Sequence, residues 1–321
     1  MSGRAAGDVV VMGSLNADLV LPVGHLPRAG ETVLGGELRT LPGGKGGNQA
    51  VAAARLGGRV FMVGRVGEDS LGAFLLERLA RAGVDTGLVA ADPASPTGTA
   101  LVLVDERGEN CIAVAPGANA RVGEPEVARA SGRLRAGDVL AMQLEVPVEA
   151  VLAAAERARA VGATVVLNAS PAGRLIPGLL ALVDVLVVNE LEAAGLAGTG
   201  AGAGALASLG PGTVVVTRGS GPTSLYGGGR EVSSSPPRVD PIDTTGAGDA
   251  FAGALALALA RGLEAGAAVR VANAAGAAAT LSAGAQEALP TVPALVTLDP
   301  GAAAALGRTG LSPAPRPAWE R

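Results

Sequence analysis

The run Asp243-Thr244-Thr245-Gly246-Ala247-Gly248-Asp249, set directly before the apolar stretch 250–260, joins an anion site to a base. A Gly-Ala-Gly turn entering a helix points unpaired backbone N–H groups outward at the positive end of the helix dipole, which suits a phosphate. Asp249 falls on the first turn of that helix. A carboxylate there is ill-suited to holding phosphate, but it can take the proton from a hydroxyl that attacks one. The chemistry supported is phosphoryl transfer to an alcohol. The same residues also fit a tight loop in which Asp249 only stabilises a helix start, and the heptad alone leaves both readings open.

A second constellation, 42–50, reads Pro-Gly-Gly-Lys-Gly-Gly-Asn-Gln-Ala, and its Lys45 is the only lysine in a chain that otherwise uses arginine. Gly44, Gly46 and Gly47 allow a small ligand to approach the backbone, and the helix that follows offers its N-terminal N–H groups. The G-x-x-x-x-G-K-[ST] order of a Walker loop is absent. Upstream, Asn16-Ala17-Asp18 follows the first strand at its C-terminal end, where open α/β sheets bind ligands. Asp18 can hold two adjacent sugar hydroxyls, with amide contacts from Asn16 and Asn48. An Asx turn at Asp18 and a solvated charge at Lys45 are the alternatives.

Two more strand ends carry polar residues. Asn189 and Glu192, three apart on an opening helical turn, share a face that can hold a hydrated Mg²⁺ near phosphates; helix capping by Asn189 is compatible with that role. The turn Thr217-Arg218-Gly219-Ser220-Gly221 sets backbone and hydroxyl donors where a nucleotide phosphate would lie.

Elements to position these residues alternate along the chain. Short β-branched or apolar runs at 8–12, 59–63, 139–142, 164–167, 185–188 and 213–216 predict strands, and the Ala/Leu-rich segments 49–56, 71–82, 148–161 and 203–209 predict helices. The pattern implies a three-layer α/β/α architecture around a mainly parallel sheet. Residues 17–23 with 31–41, and 98–104 with 110–115, read instead as hairpin-like strands that form a small separate sheet, a lid over the core. One α/β domain carrying these lid strands is thus expected over 1–297. The tail from Asp299, within a poorly ordered 298–321, lacks periodic apolar residues and is expected to fray.

Composition narrows the function. With 321 residues, 49% hydrophobic and 17% charged, the chain can bury one large core. A net charge of -4 and 2% aromatics supply neither a basic footprint nor a stacking platform, which argues against nucleic acid. The apolar run 250–260 is too short to span a membrane, and the N-terminus lacks a signal-peptide core. A single cysteine, Cys111, fits a reducing cytoplasm and is expected to be a small buried hydrophobe on a strand. One histidine, His25, makes multi-His metal sites and Ser-His-Asp catalysis improbable.

In order, Asn16-Ala17-Asp18, 43–50, Met142-Gln143-Leu144-Glu145, Asn189-Glu190-Leu191-Glu192, Thr217-Arg218-Gly219-Ser220 and 243–249 resemble the ribokinase family of carbohydrate kinases over roughly residues 8–293. Gly108-Glu109-Asn110 and Pro116-Gly117-Ala118-Asn119 bring it nearest to the members acting on ribose. The resemblance implies ATP-dependent phosphorylation of D-ribose at its 5-hydroxyl. Asp249 matches the catalytic base, and the amides of Gly246, Ala247 and Gly248 match the anion hole. Asn16, Ala17, Asp18, Gly44, Lys45, Gly46, Gly47, Asn48 and Glu145 match the sugar site. Asn189, Glu192, Thr217, Arg218, Gly219, Ser220, Gly221, Gly248 and Asn273 match the nucleotide site, with Asn273 near adenine. Asp243, Thr245, Ala279, Ser282 and Gly284 match the ligands of an activating K⁺. The family likeness also implies Mg²⁺ and a homodimer formed through the lids.

Two departures stand out. Ala288 occupies a position where the family usually has Ser, and Gly221-Pro222 replaces a more usual Arg/Lys-Gly, removing an N–H. These bear on cation preference and nucleotide affinity. Another sugar or nucleoside kinase of the same family is the nearest alternative. A catalytically silent sugar sensor sits poorly with the intact 246–249 motif, and a nicotinamide dehydrogenase sits poorly with Gly13-Ser14-Leu15-Asn16 after the first strand.

Overall fold

Val9, Val11 and Val10, Met12 pack into two different apolar clusters on opposite faces of one strand, so this segment is buried on both sides and has no need of polar alternation. The structure is a computed structural model that describes residues 6–173, 175–200 and 202–307. In chain order its strands are β1 (Val9–Met12), β2 (Asn16–Pro22), β3 (Arg39–Gly43), β4 (Val60–Gly67), β5 (Val84–Asp92), β6 (Gly98–Val104), β7 (Asn110–Ala115), β8 (Val139–Met142), β9 (Thr164–Asn168), β10 (Val185–Asn189), β11 (Thr213–Arg218), β12 (Gly221–Gly227) and β13 (Arg230–Ser234). The helices are α1 (Lys45–Arg55), α2 (Ser70–Arg81), α3 (Glu124–Arg133), α4 (Val148–Ala160), α5 (Glu190–Ala197), α6 (Ala203–Ala207), α7 (Ala247–Ala260), α8 (Ala265–Ala279), α9 (Val292–Leu298) and α10 (Pro300–Gly307).

Nine strands form one sheet in the order β13-β12-β11-β10-β9-β8-β1-β4-β5, parallel from β11 through β5, with β12 and β13 joined by antiparallel pairing. Helices α1, α7 and α8 cover one face, and α3, α4 and α6 cover the other, as the alternating pattern predicts. From β1 the chain first builds outward through β4 and β5, then returns to place β8 on the other side. That reversal opens a crevice at the carboxyl ends of the strands, and the polar motifs lie at that end.

Helix α7 is apolar nearly all round and buried almost throughout because it lies between α1, α8 and the sheet. Gly253 makes the crossing with α1 possible. A Cβ there would stand 2.4 Å from the carbonyl oxygen of Gln49. The two helices that carry the Gly-Gly-Lys and Gly-Ala-Gly-Asp motifs are thereby locked together at close range.

The second sheet has the order β3-β2-β6-β7, with β2 and β6 parallel at its centre. The lid predicted at 17–41 and 98–115 is thus two arms joined side by side. Its first return strand begins at Arg39 and not at 31; before it, Gly35 makes only an isolated bridge to Val23. Cys111 lies on a strand as expected, but it is exposed and not buried. The reason is that β7 is an edge strand exposed along its whole length. The expectation that the tail frays from Asp299 is also corrected: 300–307 forms α10, which buries Ala302 and Leu306 against the core, and Asp299 caps it by accepting from the Ala302 N–H at 2.9 Å. The remainder of that tail, 308–321, lies outside the described residues. Among the described residues no helix is long and apolar enough to cross a membrane.

Candidate active site

Gly246 is the N-cap of α7 and takes φ 78°, a left-handed conformation that side chains rarely adopt. This turn puts Gly248 at the surface while Asp249, one residue on, is buried. The Ala247 N–H turns back to the Thr244 carbonyl at 3.2 Å, so of the three predicted anion-hole amides this one is engaged within the turn.

Asp249 is held from α1. Asn48 Nδ2 donates to its Oδ2 at 2.9 Å, and Gln49 Nε2 donates to its Oδ1 at 3.2 Å. Burial pushes its carboxyl above the ordinary range; the Lys45 ammonium and the two amide donors act against that, and Glu145 adds to it. A carboxylate desolvated but supplied with donors is a more effective base than one in water. Lys45, Asn168, Asn189, Thr217, Gly246 and Gly248 line a cavity of about 160 Å³ together with Asp249. The two glycine motifs, 200 residues apart, therefore meet on one space.

The residues expected to bind the sugar gather where the four-stranded sheet meets the core. Asp18, on β2, sits beside Gly43 of the neighbouring β3. Its carboxyl is pushed up to about 7, first by burial and then by the charges of Glu145, Asp249 and Glu287. Glu145 follows β8 and accepts from the Ser14 hydroxyl and, at 3.0 Å, from the Lys45 N–H, pinning the start of α1 to the end of β1. Asn16 is fixed by Asn119, whose Nδ2 donates to its Oδ1 at 2.8 Å and to the Leu15 carbonyl at 3.0 Å, while Asn119 Oδ1 accepts from the Leu15 N–H at 2.9 Å. Ala17, Gly44, Gly46 and Gly47 shape the backbone around these side chains.

The residues expected to bind the nucleotide are less closely knit. Asn189 and Glu192 form a reciprocal capping box at the start of α5, each side chain taking the other's backbone N–H at 2.8 Å. Both still line the cavity. Thr217 lines it too, whereas Gly219 and Ser220 are exposed beyond it and Arg218 is drawn to Glu190, Pro222 and Ser224. Gly221 opens β12. Asn273 stands apart: its buried amide accepts from Thr223 at 2.7 Å and donates to the Ser234 carbonyl at 3.0 Å, tying α8 to β12 and β13. Of the predicted cation ligands, Asp243 accepts from Thr245 N–H and Gly284 N–H, both at 2.9 Å. Burial alone would raise its carboxyl, but these two donors hold it below the ordinary range. Ala279 ends α8 close by in sequence, Ser282 is exposed and Ala288 is buried.

Sequence reasoning assigned no role to Gln49, Asn119, Gln143 or Asn168, all buried polar residues of this site. A signal was present for two of them: Gln143 and Asn168 are polar residues at the ends of β8 and β9, flanked by apolar ones, whereas Gln49 follows Asn48 inside α1 and Asn119 lies in the turn after Pro116-Gly117.

This geometry agrees with comparisons to known proteins. Residues 6–292 match the description "pfkB family carbohydrate kinase". Ribokinase of Bacillus subtilis (strain 168) is 39% identical over 284 residues, 88% of this chain and 96% of that protein. Deoxyribokinase of Salmonella typhi is 34% identical over 258 residues, 78% of this chain and 84% of its own. The structure of Arabidopsis thaliana ribokinase complexed with ribose and ATP matches with a TM-score of 0.84 at 31% identity, covering 92% of this chain and 99% of that one. With fold and sequence matching over nearly its whole length, the chain belongs to the pfkB family of carbohydrate kinases and is a phosphotransferase.

Proposed function

We propose that the protein transfers the γ-phosphoryl group of ATP to the 5-hydroxyl of D-ribose. The observation that carries this reading is the buried Asp249 carboxylate, which shares one cavity with Lys45 and the Gly246 turn while Asp18, Asn16 and Asn48 stand on its sugar side. Asp249 takes the hydroxyl proton as O5 attacks the γ-phosphorus; the new O–P bond forms as the bond to the β-phosphate oxygen breaks, and ADP leaves. The Gly246 and Gly248 N–H groups and the Lys45 ammonium neutralise charge on the moving group, while the Ala247 N–H holds the turn through the Thr244 carbonyl. Asp18 accepts from sugar hydroxyls, and the four-stranded lid closes over them, excluding water that would otherwise compete as acceptor.

Among the described residues no group of three or more His, Cys, Asp or Glu stands together to hold a metal ion. The donor set fits a nucleotide-borne Mg²⁺, which Asn189 and Glu192 would help to hold and which would neutralise phosphate charge there. Asp243 clasps Gly284 and Thr245 together, and this loop pair fits a K⁺ held by Asp243, Thr245, Ala279, Ser282 and Gly284, largely through backbone carbonyls. Such an ion adds positive charge beside the phosphoryl site. Thr217, Arg218, Gly219, Ser220 and Gly221 border the nucleotide, with Asn273 shaping the wall behind it. Exposed Leu101, Ile112 and Val114 on the lid support a homodimer formed lid to lid, for which a monomer in sedimentation would be the contrary result. The single cysteine supports a reducing, cytoplasmic setting.

The test is ADP release with Mg-ATP against D-ribose, 2-deoxyribose, fructose, adenosine and uridine, each in K⁺ and Na⁺ buffer. Ribose-selective, K⁺-stimulated turnover is the expected result. Preference for 2-deoxyribose would move the substrate toward that of the 34% identical deoxyribokinase. Turnover on none of the five would remove the kinase assignment for these sugars.

A further inference from the structure

Gln49 and Gln143 are 1% and 0% exposed beside the base, and neither is near enough to solvent to be satisfied by it. An ionised Asp249 only accepts hydrogen bonds, so the group facing its Oδ1 must be a donor. That orients Gln49 with Nε2 toward Asp249, and the second hydrogen of the same nitrogen goes to Asn168 Oδ1 at 3.2 Å. Gln49 Oε1 is left facing Gln143, whose Nε2 donates to it at 2.6 Å. Reversing either amide would set oxygen against oxygen. The polarity stops at Gln143 Oε1, which is buried with no partner. An unpartnered buried acceptor is costly, and it is tolerated here at the far end of a chain of donors that leads to the carboxylate.

We propose that Gln143 and Gln49 form a buried amide relay that aims the Asp249 carboxylate and keeps it charged, with Gln143 acting only through Gln49. Both are positioning residues, and the proposal rests on the reading of Asp249 as the base. The charged groups facing Asp249 divide: Lys45 favours its ionised form, whereas Glu145 and Asp18 oppose it. Asn48 secures the other oxygen independently. Gln49 is therefore the one donor that sets Oδ1, and its own orientation is decided from β8 through Gln143.

The experiment is kcat against pH at saturating D-ribose and Mg-ATP for the unaltered protein, Gln49→Met, Gln143→Met, the double variant and Asp249→Asn. Gln49→Met should lower kcat at pH 7 by about 10-fold and move its acid limb up by about one pH unit, the size of one hydrogen bond to a charged group. Gln143→Met should move the limb the same way by less. The double variant should be no worse than Gln49→Met, since the second change acts through the first. An unmoved acid limb in both single variants, or losses that multiply in the double, would overturn the relay. Should Gln49→Met fail to fold by thermal melting, the limb shift of Gln143→Met decides alone. An inactive Asp249→Asn beside unshifted glutamine variants refutes the relay only; an active one refutes the base assignment and the relay with it.

Discussion

The half of the site proposed to hold the sugar and the base and the half proposed to hold the nucleotide are built on different principles. Asn48, Gln49, Gln143 and Asp249 are buried and bonded to one another, with Glu145 tied to Ser14 and Lys45 beside them. On the other side, Gly219, Ser220, Thr244, Thr245 and Gly248 are exposed, and what they offer is largely backbone. The first half is set before any ligand arrives and bears the cost of burying carboxylates close together. The second half relies on N–H groups and short side chains that a nucleotide itself would cover. On the proposed reading, preorganisation is concentrated where a proton would move, and adaptability where a large ligand would enter and leave.

This contrast predicts a gradient of sensitivity. The largest effect belongs to Asp249→Asn, which keeps the fold but lowers kcat by ~10²–10⁴ in steady-state assays. Because burial raises the Asp249 pKa, the charged form costs the fold stability; the variant should therefore melt higher at neutral pH, and the gain should fade as pH falls toward the ordinary carboxylate range.

Asp18→Asn comes next, raising KM for the sugar by about 10- to 100-fold through loss of a charged acceptor. Burial and the neighbouring carboxylates push Asp18 up to about 7 in the unaltered protein, so sugar KM should rise as pH drops through that value, and the variant should lose this dependence. The sign for stability is opposite. Above pH 7 the folded protein holds a charge that it disfavours, at a cost of up to about 4 kcal/mol, and the cost vanishes as pH falls toward 3.8. Ligand-free Asp18→Asn should accordingly be more stable at pH 8 and equal at pH 3.5 in thermal melts. Failure of both shifts would mean that Asp18 is solvated and outside the block.

Smaller effects lie across the cleft. Asp243→Ala should remove K⁺ stimulation and destabilise the protein by about 1–3 kcal/mol, since two backbone donors lose a charged acceptor. The stability lost here is present above the ordinary carboxylate range, because the Asp243 pKa is lowered, and it should disappear on acidification. Ser220→Ala should change KM for ATP by no more than about twofold, as for an exposed side chain with no fixed partner. A large effect at Ser220 would erase the contrast between the halves.

Much of the frame was legible in the sequence because parallel strands buried on both faces leave uninterrupted β-branched runs, as at 9–12 and 185–188. The two glycine motifs were legible for a similar reason, since close approach leaves few alternatives to glycine. The return strand at Arg39 was misjudged because residues 31–38 have a strand-like composition but only one bridge to hold them. Cys111 was misplaced because burial on a strand depends on whether a neighbour covers it, and β7 is an edge. The helix at 300–307 was missed because it is one short run of alanines with a single leucine, in which the buried Ala302 and Leu306 do not stand out as a period. The amide chain from Gln143 to Asp249 joins residues more than 90 positions apart, and no local pattern records such a connection.

Phosphorus and carbon NMR of the product formed from ATP and D-ribose tests the central claim most directly. A single phosphate ester, with phosphorus coupled to C5 of ribose and absent when Asp249→Asn replaces the unaltered protein, is the predicted result. A phosphate at another hydroxyl, inorganic phosphate alone, or an unchanged yield from the variant would contradict it.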